Sequence, residues 1–140
     1  MDIVTGMNKA LEFARDCALE GVDVPVGCAI YKGDRFIAGA MNTRQKDNDI
    51  SGHAEIKALK AAAEILGDWR LSGCELYVTL EPCPMCAGAI ADARISALIY
   101  GAERPGARAA DILPRDVKIV PGVCESEAGE LLSQFFKSMR

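Results

Sequence analysis

The sequence predicts a three-layer α/β domain in which helices cover both faces of a mixed central sheet of about five strands. Short apolar runs typical of strands alternate along the chain with longer runs that have helical spacing. An early pair of strand-like runs is joined by a short glycine-containing turn, which favours an antiparallel hairpin at one edge of the sheet. Since no repeat or linker-like change in composition interrupts the 140 residues, we expect one domain over residues 1–140.

The N-terminal part of the chain predicts a helix followed by the hairpin. Apolar residues recur three and four positions apart over Met7–Leu19, and Gly21 is the predicted stop of this helix. Two short apolar runs, Cys28–Tyr31 and Phe36–Ala40, flank a turn at residues 32–34. We therefore expect these runs to pair as antiparallel strands.

The rest of the chain alternates between helices and strands. After a polar loop, His53–Leu66 is rich in Ala, Leu, Glu and Lys, so we predict a helix that ends at Gly67. Proline suits the first turn of a helix, and Pro84 therefore predicts that another helix opens there. The further predicted elements are a strand at Glu75–Leu80, a helix at Met85–Asp92, a strand at Ala97–Tyr100, an irregular loop at Gly101–Asp116, a strand at Val117–Val120 and a helix at Glu127–Arg140.

Composition and charge narrow the possible classes of protein. Apolar residues make up 50% of the chain and charged residues 26%, which is ordinary for a soluble globular domain. No apolar run approaches the ~20 residues that a membrane-spanning helix needs, so we expect neither a signal peptide nor a membrane span. Without a secretory signal, the six cysteines predict thiols of a cytoplasmic protein rather than disulfides. The net charge of −4 argues against a protein that coats nucleic acid, although Arg104, Arg108 and Arg115 permit a local basic patch.

Cys83 and Cys86 form a C-x-x-C motif at the predicted start of a helix. The free backbone N–H groups and the dipole of a helix N-terminus favour the thiolate, which is the form that binds metal. On its own, the motif is equally compatible with a redox pair or with chance.

The only histidine of the chain, His53, lies with Glu55 at the predicted start of the preceding helix. In the first turn of a helix, both side chains can reach a group that sits over the helix end. Taken alone, His53 could equally be a polar cap, and Glu55 an acid that interacts favourably with the helix dipole. Together with Cys83 and Cys86, however, His53 makes a set of three zinc-type ligands.

A set of three protein ligands leaves the fourth tetrahedral position open, which is typical of catalytic rather than structural zinc. The other cysteines are not paired at ligand spacing, and we predict that they are small buried apolar residues: Cys17, Cys28, Cys74 and Cys124. The residues therefore indicate a catalytic zinc site with a carboxylate, Glu55, close to it.

The motifs H-A-E and P-C-P-M-C match the H-x-E and P-C-x-x-C pattern of the zinc deaminases of nucleobases. Over most of its length, the chain also resembles the bacterial tRNA adenosine deaminase family, TadA. The matching segments are Pro25–Gly27, Asn42, the helix from His53 to Leu59, Leu76–Ile90 (L-Y-V-T-L-E-P-C-P-M-C-A-G-A-I) and Leu131–Lys137 (L-L-S-Q-F-F-K). The resemblance implies a cytidine-deaminase-like α/β/α fold.

By the same resemblance, the chain is expected to convert the wobble adenosine of tRNA anticodons to inosine, as a homodimer with one Zn2+ per chain. The zinc would be held by His53, Cys83 and Cys86, and Glu55 would move the protons of the reaction. The further implied roles are base binding by Asn42 and Ala54, a pocket mouth at Val24 and Pro25, and contacts of the tRNA anticodon arm with Phe136, Lys137 and Arg140.

Departures from the family pattern in the segment Gly101–Asp116 keep the identity of the substrate open. Arg104 stands where the family usually has an acid, and the loop to Val117 is shorter than is usual in the family. Outside this segment, Asp23 stands where relatives have Glu. A second hypothesis is therefore a deaminase of a free nucleobase or nucleoside, such as guanine or cytosine, that uses the same zinc centre. A third is a non-catalytic zinc-binding subunit, against which Glu55 argues because a non-catalytic chain could lose this residue without losing the metal.

Overall fold

The computed structural model describes residues 1–139, in which four α-helices pack around five β-strands. In chain order the elements are α1 (Ile3–Glu20), β1 (Gly27–Lys32), β2 (Arg35–Met41), α2 (Ala54–Leu66), β3 (Cys74–Leu80), α3 (Pro84–Asp92), β4 (Ala97–Ala102), β5 (Lys118–Val120) and α4 (Glu125–Ser138). Over the described residues, none of the helices combines the length and the apolar character that crossing a membrane requires.

The five strands form one mixed sheet in the order β2-β1-β3-β4-β5. Strand β1 runs antiparallel to both of its neighbours, β2 and β3, whereas β4 runs parallel to both β3 and β5. The predicted mixed sheet is therefore confirmed, and the β1–β2 hairpin lies at one edge of it.

Helices cover both faces of this sheet, as the predicted three layers require. Because alternate residues of a strand point to opposite faces, Cys28 and Ile30 of β1 join a buried cluster with α2 and α3. Ala29 and Tyr31 of the same strand join a second cluster with α1 and α4. The last helix is the most loosely held of the four, since Ala128 is its only fully buried residue among those described.

Helix α1 begins at Ile3, earlier than the predicted Met7. The carboxylate of Asp2 caps the helix by accepting a hydrogen bond from the backbone N–H of Thr5 at 2.8 Å. Gly6, which weakens a helical pattern, is required here because a Cβ at this position would lie 2.4 Å from the ring of Tyr77. The predicted stop at Gly21 is confirmed, with φ at 71°.

The close contact between α1 and β1 depends on a second glycine. A Cβ at Gly27 would lie 2.0 Å from the carbonyl oxygen of Ala10 and 2.4 Å from the backbone nitrogen of Ala14. Both of these atoms belong to the backbone of α1, so they cannot move aside as the end of a flexible side chain could. Gly27 therefore sets how closely the helix approaches the strand.

Other boundaries differ from the prediction by a few residues. His53 is the N-cap of α2 rather than its first helical residue. Strand β4 continues past Tyr100 to Ala102, because Ala102 pairs with Leu80 of β3. Further differences include a 3₁₀ turn at Ala109–Asp111 inside the predicted loop, a start of β5 at Lys118 and a start of α4 at Glu125, while β1, β2, β3 and α3 differ by one residue at one or both ends. The predicted helical end and RNA contact at Arg140 lie outside the described residues.

Candidate active site

Two helix N-termini meet at one place on the sheet. His53 is the N-cap of α2 and Cys83 is the N-cap of α3, and neither side chain caps its own helix through a hydrogen bond. Pro84 occupies the first turn of α3, where its missing N–H costs nothing. The side chains of His53 and Cys83 therefore remain available to each other.

The three predicted ligands come together with distances that suit zinc. The Nδ1 atom of His53 lies 3.5 Å from the Sγ of Cys83 and 3.4 Å from the Sγ of Cys86. Ideal tetrahedral zinc, with bonds of about 2.05 Å to nitrogen and 2.3 Å to sulfur, would separate these atoms by about 3.5 Å. All three ligand atoms lie within 4.8 Å of one another, and this is the only such group found in residues 1–139. The donor set therefore fits a zinc ion with one open position.

Contacts among the three ligand side chains shift their pKa values in different directions. The pKa of Cys83 is lowered to about 3, chiefly by its side-chain contact with Cys86 and also by that with His53. The pKa of Cys86 is raised by the same contact and also by burial, and the contact with Cys83 raises the pKa of His53. Both sulfurs would bind a metal ion as thiolates, so metal binding would release their protons.

Glu55 lies in the first turn of α2, with only 4% of its surface exposed. Burial raises the pKa of its carboxyl group, because the charged form loses hydration. A carboxyl group with a raised pKa accepts a proton more readily than an exposed carboxyl group does. This buried acid beside the three ligand residues is therefore suited to proton transfer.

A cavity of about 950 Å³ opens over His53 and Glu55. Its walls come from the segments around β1, β2, β3 and β4 and from the helices α2 and α4: Val22, Asp23, Val24, Val26, Asn42, Arg44, Gln45, His53, Ala54, Glu55, Leu80, Glu81, Glu103, Arg104, Pro105, Leu132, Phe135, Phe136 and Met139. The predicted site residues Val24, Asn42, Ala54 and Phe136 thus line the same cavity as His53, whereas Cys83 and Cys86 are not wall residues. Pro25 is buried behind this lining and Lys137 is exposed outside it, so neither of them is a wall residue.

Hydrogen bonds fix the side chain of Asn42 at the cavity wall. Its amide nitrogen donates to the carbonyl oxygen of Val24 at 3.1 Å, and its amide oxygen accepts from the backbone N–H of Arg44 at 3.1 Å. Nearby, the buried carboxylate of Asp23 accepts hydrogen bonds from the backbone N–H groups of Gln45 and Lys46. The loop after β2 is therefore held in place on this side of the cavity.

On the opposite side, Glu81 holds the loop after β4, a role that the sequence analysis missed. Its carboxylate is 1% exposed, and it accepts hydrogen bonds from the backbone N–H of Arg104 at 3.3 Å and of Ala109 at 3.0 Å. It also forms an ion pair with Arg108, whose Nε lies 3.4 Å away. The available signal was an acid placed directly before the P-C-P-M-C motif.

The comparisons with known proteins agree with this geometry. The family model described as MafB19-like deaminase matches residues 1–140. The "tRNA-specific adenosine deaminase" of Agrobacterium fabrum is 41% identical, over 96% of this chain and 93% of that protein. A "tRNA(Ile)-lysidine synthase" of Deinococcus deserti is 42% identical over 97% of this chain, but the chain spans only 27% of the length of that relative.

Two solved structures extend the comparison. A chain from a structural study of A-to-I editing by tRNA:A34 deaminases at the wobble position of transfer RNA has a TM-score of 0.83 and 39% identity, and covers 91% of this chain and 99% of that one. A guanine deaminase from Bacillus subtilis has a TM-score of 0.70 and 39% identity, and covers 74% of this chain and 66% of that one. The fold is thus similar to those of a tRNA:A34 deaminase and a guanine deaminase.

Proposed function

The chain belongs to the MafB19-like deaminase family, and from this membership we propose that it is a zinc-dependent hydrolytic deaminase that converts the wobble adenosine of tRNA anticodons to inosine. The observation that carries the proposal is the group of His53, Cys83 and Cys86, of which His53 lines one cavity together with the buried Glu55. A non-catalytic zinc-binding subunit would not need a buried acid at this place.

We assign one Zn2+ per chain to the three ligand residues. The nitrogen and two sulfur donors lie at the separations that tetrahedral zinc requires. When bound, zinc supplies Lewis-acid activation of a water molecule in its open position. Because two thiolates donate charge and weaken this activation, the site also needs a base among its own residues.

Glu55 is that base. Its carboxylate takes a proton from the attacking water and delivers it to the ring nitrogen next to the attacked carbon. It then takes the second proton from the same oxygen and passes it to the amino group, which leaves as ammonia while the carbon–oxygen double bond forms. The raised pKa of the buried carboxyl group favours the protonated form that these steps pass through. The side chain is part of the cavity wall, as contact with a substrate requires.

The cavity residues have separate roles in binding the base. Asn42 is held by its contacts with Val24 and Arg44, so that its amide can form a directed hydrogen bond with a purine. The backbone N–H of Ala54, at the N-terminus of α2, is available to the group under attack. Pro25 supports the wall from behind.

Residues of α4 are suited to contacts with RNA. Phe136 is 52% exposed at the cavity rim, where its ring can stack on a nucleobase. Lys137 is exposed next to it and can contact a phosphate.

The size of the cavity supports a polynucleotide as substrate. At about 950 Å³ it is close to the upper end of the roughly 300–1,000 Å³ that suits drug-sized ligands, and a purine is smaller than such ligands. The tRNA anticodon arm would bring the target adenosine to the cavity together with its neighbours, and the structural relative is a deaminase that acts at the wobble position of transfer RNA.

Deamination of free guanine is the second candidate, and the similarity to the Bacillus subtilis enzyme favours it specifically. That reaction would use the same ligands and Glu55, with different contacts at the cavity wall. Arg104, which replaces the acid usual in the family, is one of these wall residues. It is therefore the residue at which the two substrates would be distinguished.

We further propose that the chain is a cytoplasmic homodimer. Exposed apolar side chains on α2 and α3, among them Ile65 at 55% and Met85 at 41%, support a partner on this face of the sheet. All six cysteines are free thiols, which supports a reducing compartment. Sedimentation of the purified protein would test the dimer, because a monomer at micromolar concentration would contradict it.

The decisive experiment compares substrates. Zinc-loaded protein is incubated with an anticodon stem-loop that carries a wobble adenosine, and in parallel with adenosine, adenine, guanine, cytosine and cytidine. The matched control is the same stem-loop with a wobble guanosine. Inosine in the first stem-loop alone supports the tRNA function. Ammonia release from guanine with the RNA unchanged would contradict it and support the second candidate.

A further inference from the structure

The charged side chains around the cavity differ in how many hydrogen-bond and ion-pair partners they have within the protein. Besides Glu55, three carboxylates line it, and each of them already accepts hydrogen bonds from the protein. Asp23 binds two backbone N–H groups, Glu81 binds the loop after β4, and Glu103 pairs with Arg108 at 3.1 Å. These three acids are therefore occupied by structural contacts.

Two guanidinium groups line the same cavity, and they differ in how firmly they are held. Arg44 is exposed, and its side chain makes no hydrogen bond or ion pair within residues 1–139. Arg104 is half-buried, and its Nε donates a hydrogen bond to the carbonyl oxygen of Glu81 at 3.1 Å. Arg104 is therefore the guanidinium with a defined orientation.

The orientation of Arg104 is fixed from two directions. Its backbone N–H donates to the carboxylate of Glu81, while its side chain donates to the backbone of the same residue. Glu81 is in turn bound to the end of β4, because its N–H donates to the carbonyl oxygen of Ala102 at 2.8 Å. The guanidinium thus stands on a rigid support next to the turn that leads to Cys83.

The outer part of this guanidinium has unused hydrogen-bonding capacity. Only Nε has a partner, and the two terminal nitrogens of Arg104 have neither a hydrogen bond nor an ion pair among the described residues. Arginine stays charged at any physiological pH, and its planar fork matches the geometry of phosphate. A preoriented cation with free donors in a substrate cavity calls for an anionic group on the substrate.

We propose that Arg104 is an anion subsite of the cavity and that it binds a phosphate group linked to the ribose at or next to the reactive base. This inference rests on the proposed deaminase function and specifies its substrate class. Nucleobases carry no anionic group of their own at neutral pH, so the phosphate is the anion that a nucleic-acid substrate offers. Free guanine and free adenine would leave Arg104 without a ligand.

The phosphate could come from the RNA backbone or from a mononucleotide. A stem-loop offers a phosphodiester on each side of the target nucleotide, whereas adenosine monophosphate and guanosine monophosphate offer a terminal phosphate. Substrates that differ only in the phosphate separate these sources: the stem-loop is compared with the free base, and each mononucleotide with its nucleoside.

The test uses Arg104→Ala, Arg104→Lys and a matched control. Arg35→Ala removes the same charge from an exposed position at the start of β2. Asn42 follows the other end of this strand, so Arg35 lies roughly 20 Å from the cavity wall at about 3.3 Å per residue. Thermal unfolding of each variant confirms that it is folded, and Arg104→Lys keeps the charge in case the alanine variant is unstable.

Binding of a fluorescently labelled stem-loop is measured by anisotropy over a range of salt concentrations. Losing one phosphate contact should reduce the slope of log affinity against log salt by about 0.7. We expect Arg104→Ala to show this change and roughly tenfold weaker binding at low salt, as for a charged hydrogen bond. Arg104→Lys should keep most of the slope but bind more weakly, because it loses the fork. Arg35→Ala should match the wild type.

The outcomes separate this inference from the proposed function. If the wild type deaminates the stem-loop and Arg104→Ala keeps the full salt slope, the subsite is overturned while the tRNA function stands. If the stem-loop is not a substrate but a mononucleotide is preferred to its nucleoside, and Arg104→Ala removes that preference, the subsite holds and the tRNA function fails. If the wild type prefers no phosphate-bearing substrate, the subsite is overturned.

Discussion

Replacing Glu81 with glutamine tests how the wall of the cavity is held. Glu81→Gln keeps the size of the side chain but converts one acceptor oxygen into an NH₂ donor. Both oxygens of Glu81 accept backbone N–H groups, from Arg104 on one side and from Ala109 on the other. The amide of glutamine has only one oxygen, so in either orientation its NH₂ group points at one of these two backbone N–H groups. That N–H then faces a donor instead of an acceptor, in a contact that is nearly fully buried.

The cost follows from that lost contact. A buried donor left without a partner costs about 1–3 kcal/mol. The ion pair with Arg108 adds little, because the guanidinium is 42% exposed and solvent screens the interaction. For a chain of 140 residues the unfolding entropy is about 0.3 kcal/mol/K, so the expected fall in Tm is about 3–10 °C.

Differential scanning calorimetry measures this shift directly, and Glu103→Gln is the control. Glu103 makes the same type of contact with the same Arg108, but its side chain is 56% exposed and it accepts no backbone N–H group. We expect its Tm to stay within about 2 °C of the wild type. Equal shifts in the two variants would refute the idea that Glu81 holds the loop. A raised KM for the stem-loop in Glu81→Gln should accompany the loss of stability, because the loop forms part of the cavity wall.

Three further predictions concern the proposed chemistry and the packing. Glu55→Gln should lower turnover by about 10²–10⁴-fold with unchanged zinc content by mass spectrometry, and full activity would remove Glu55 from its role. Cys83→Ala should lose the metal, whereas Cys124→Ala should retain it. The zinc content of both proteins can be measured by plasma emission spectrometry. Equal zinc content in the two variants would contradict the ligand assignment. Gly27→Ala should reduce the free energy of unfolding by about 1–3 kcal/mol, because its Cβ meets the backbone of α1. Gly129→Ala, where a Cβ meets nothing within 4 Å, should not lose stability in the same urea titration.

The ligand group could be predicted from the sequence because its signal is local. His53 and Glu55 lie together at the N-terminus of one helix, and Cys83 and Cys86 lie together at the N-terminus of another. Only the approach of the two helix ends is a long-range property. The motifs implied that approach, and the distances from His53 Nδ1 to the two sulfur atoms agree with it.

The parts that could not be predicted depend on contacts between distant segments. Glu81 has its role because residues 23 and 28 positions later fold back onto its carboxylate, and no periodic pattern encodes this. The early start of α1 was missed because Gly6 lowers helix propensity, while its reason is the ring of Tyr77 on another element. Phe135 could equally have been a core residue, and its place in the cavity wall follows from the packing of α4.

Because α4 is weakly anchored, the entrance to the cavity can change while the residues that carry out the chemistry stay in place. The free energy needed to open an element locally depends on the surface that it buries, and α4 contributes one fully buried residue where α1 contributes six. Amide hydrogens of α4 should therefore exchange with solvent well before those of β3. Local unfolding of this helix widens the entrance for a bulky ligand, while the ligand residues and Glu55 stay fixed at the ends of α2 and α3.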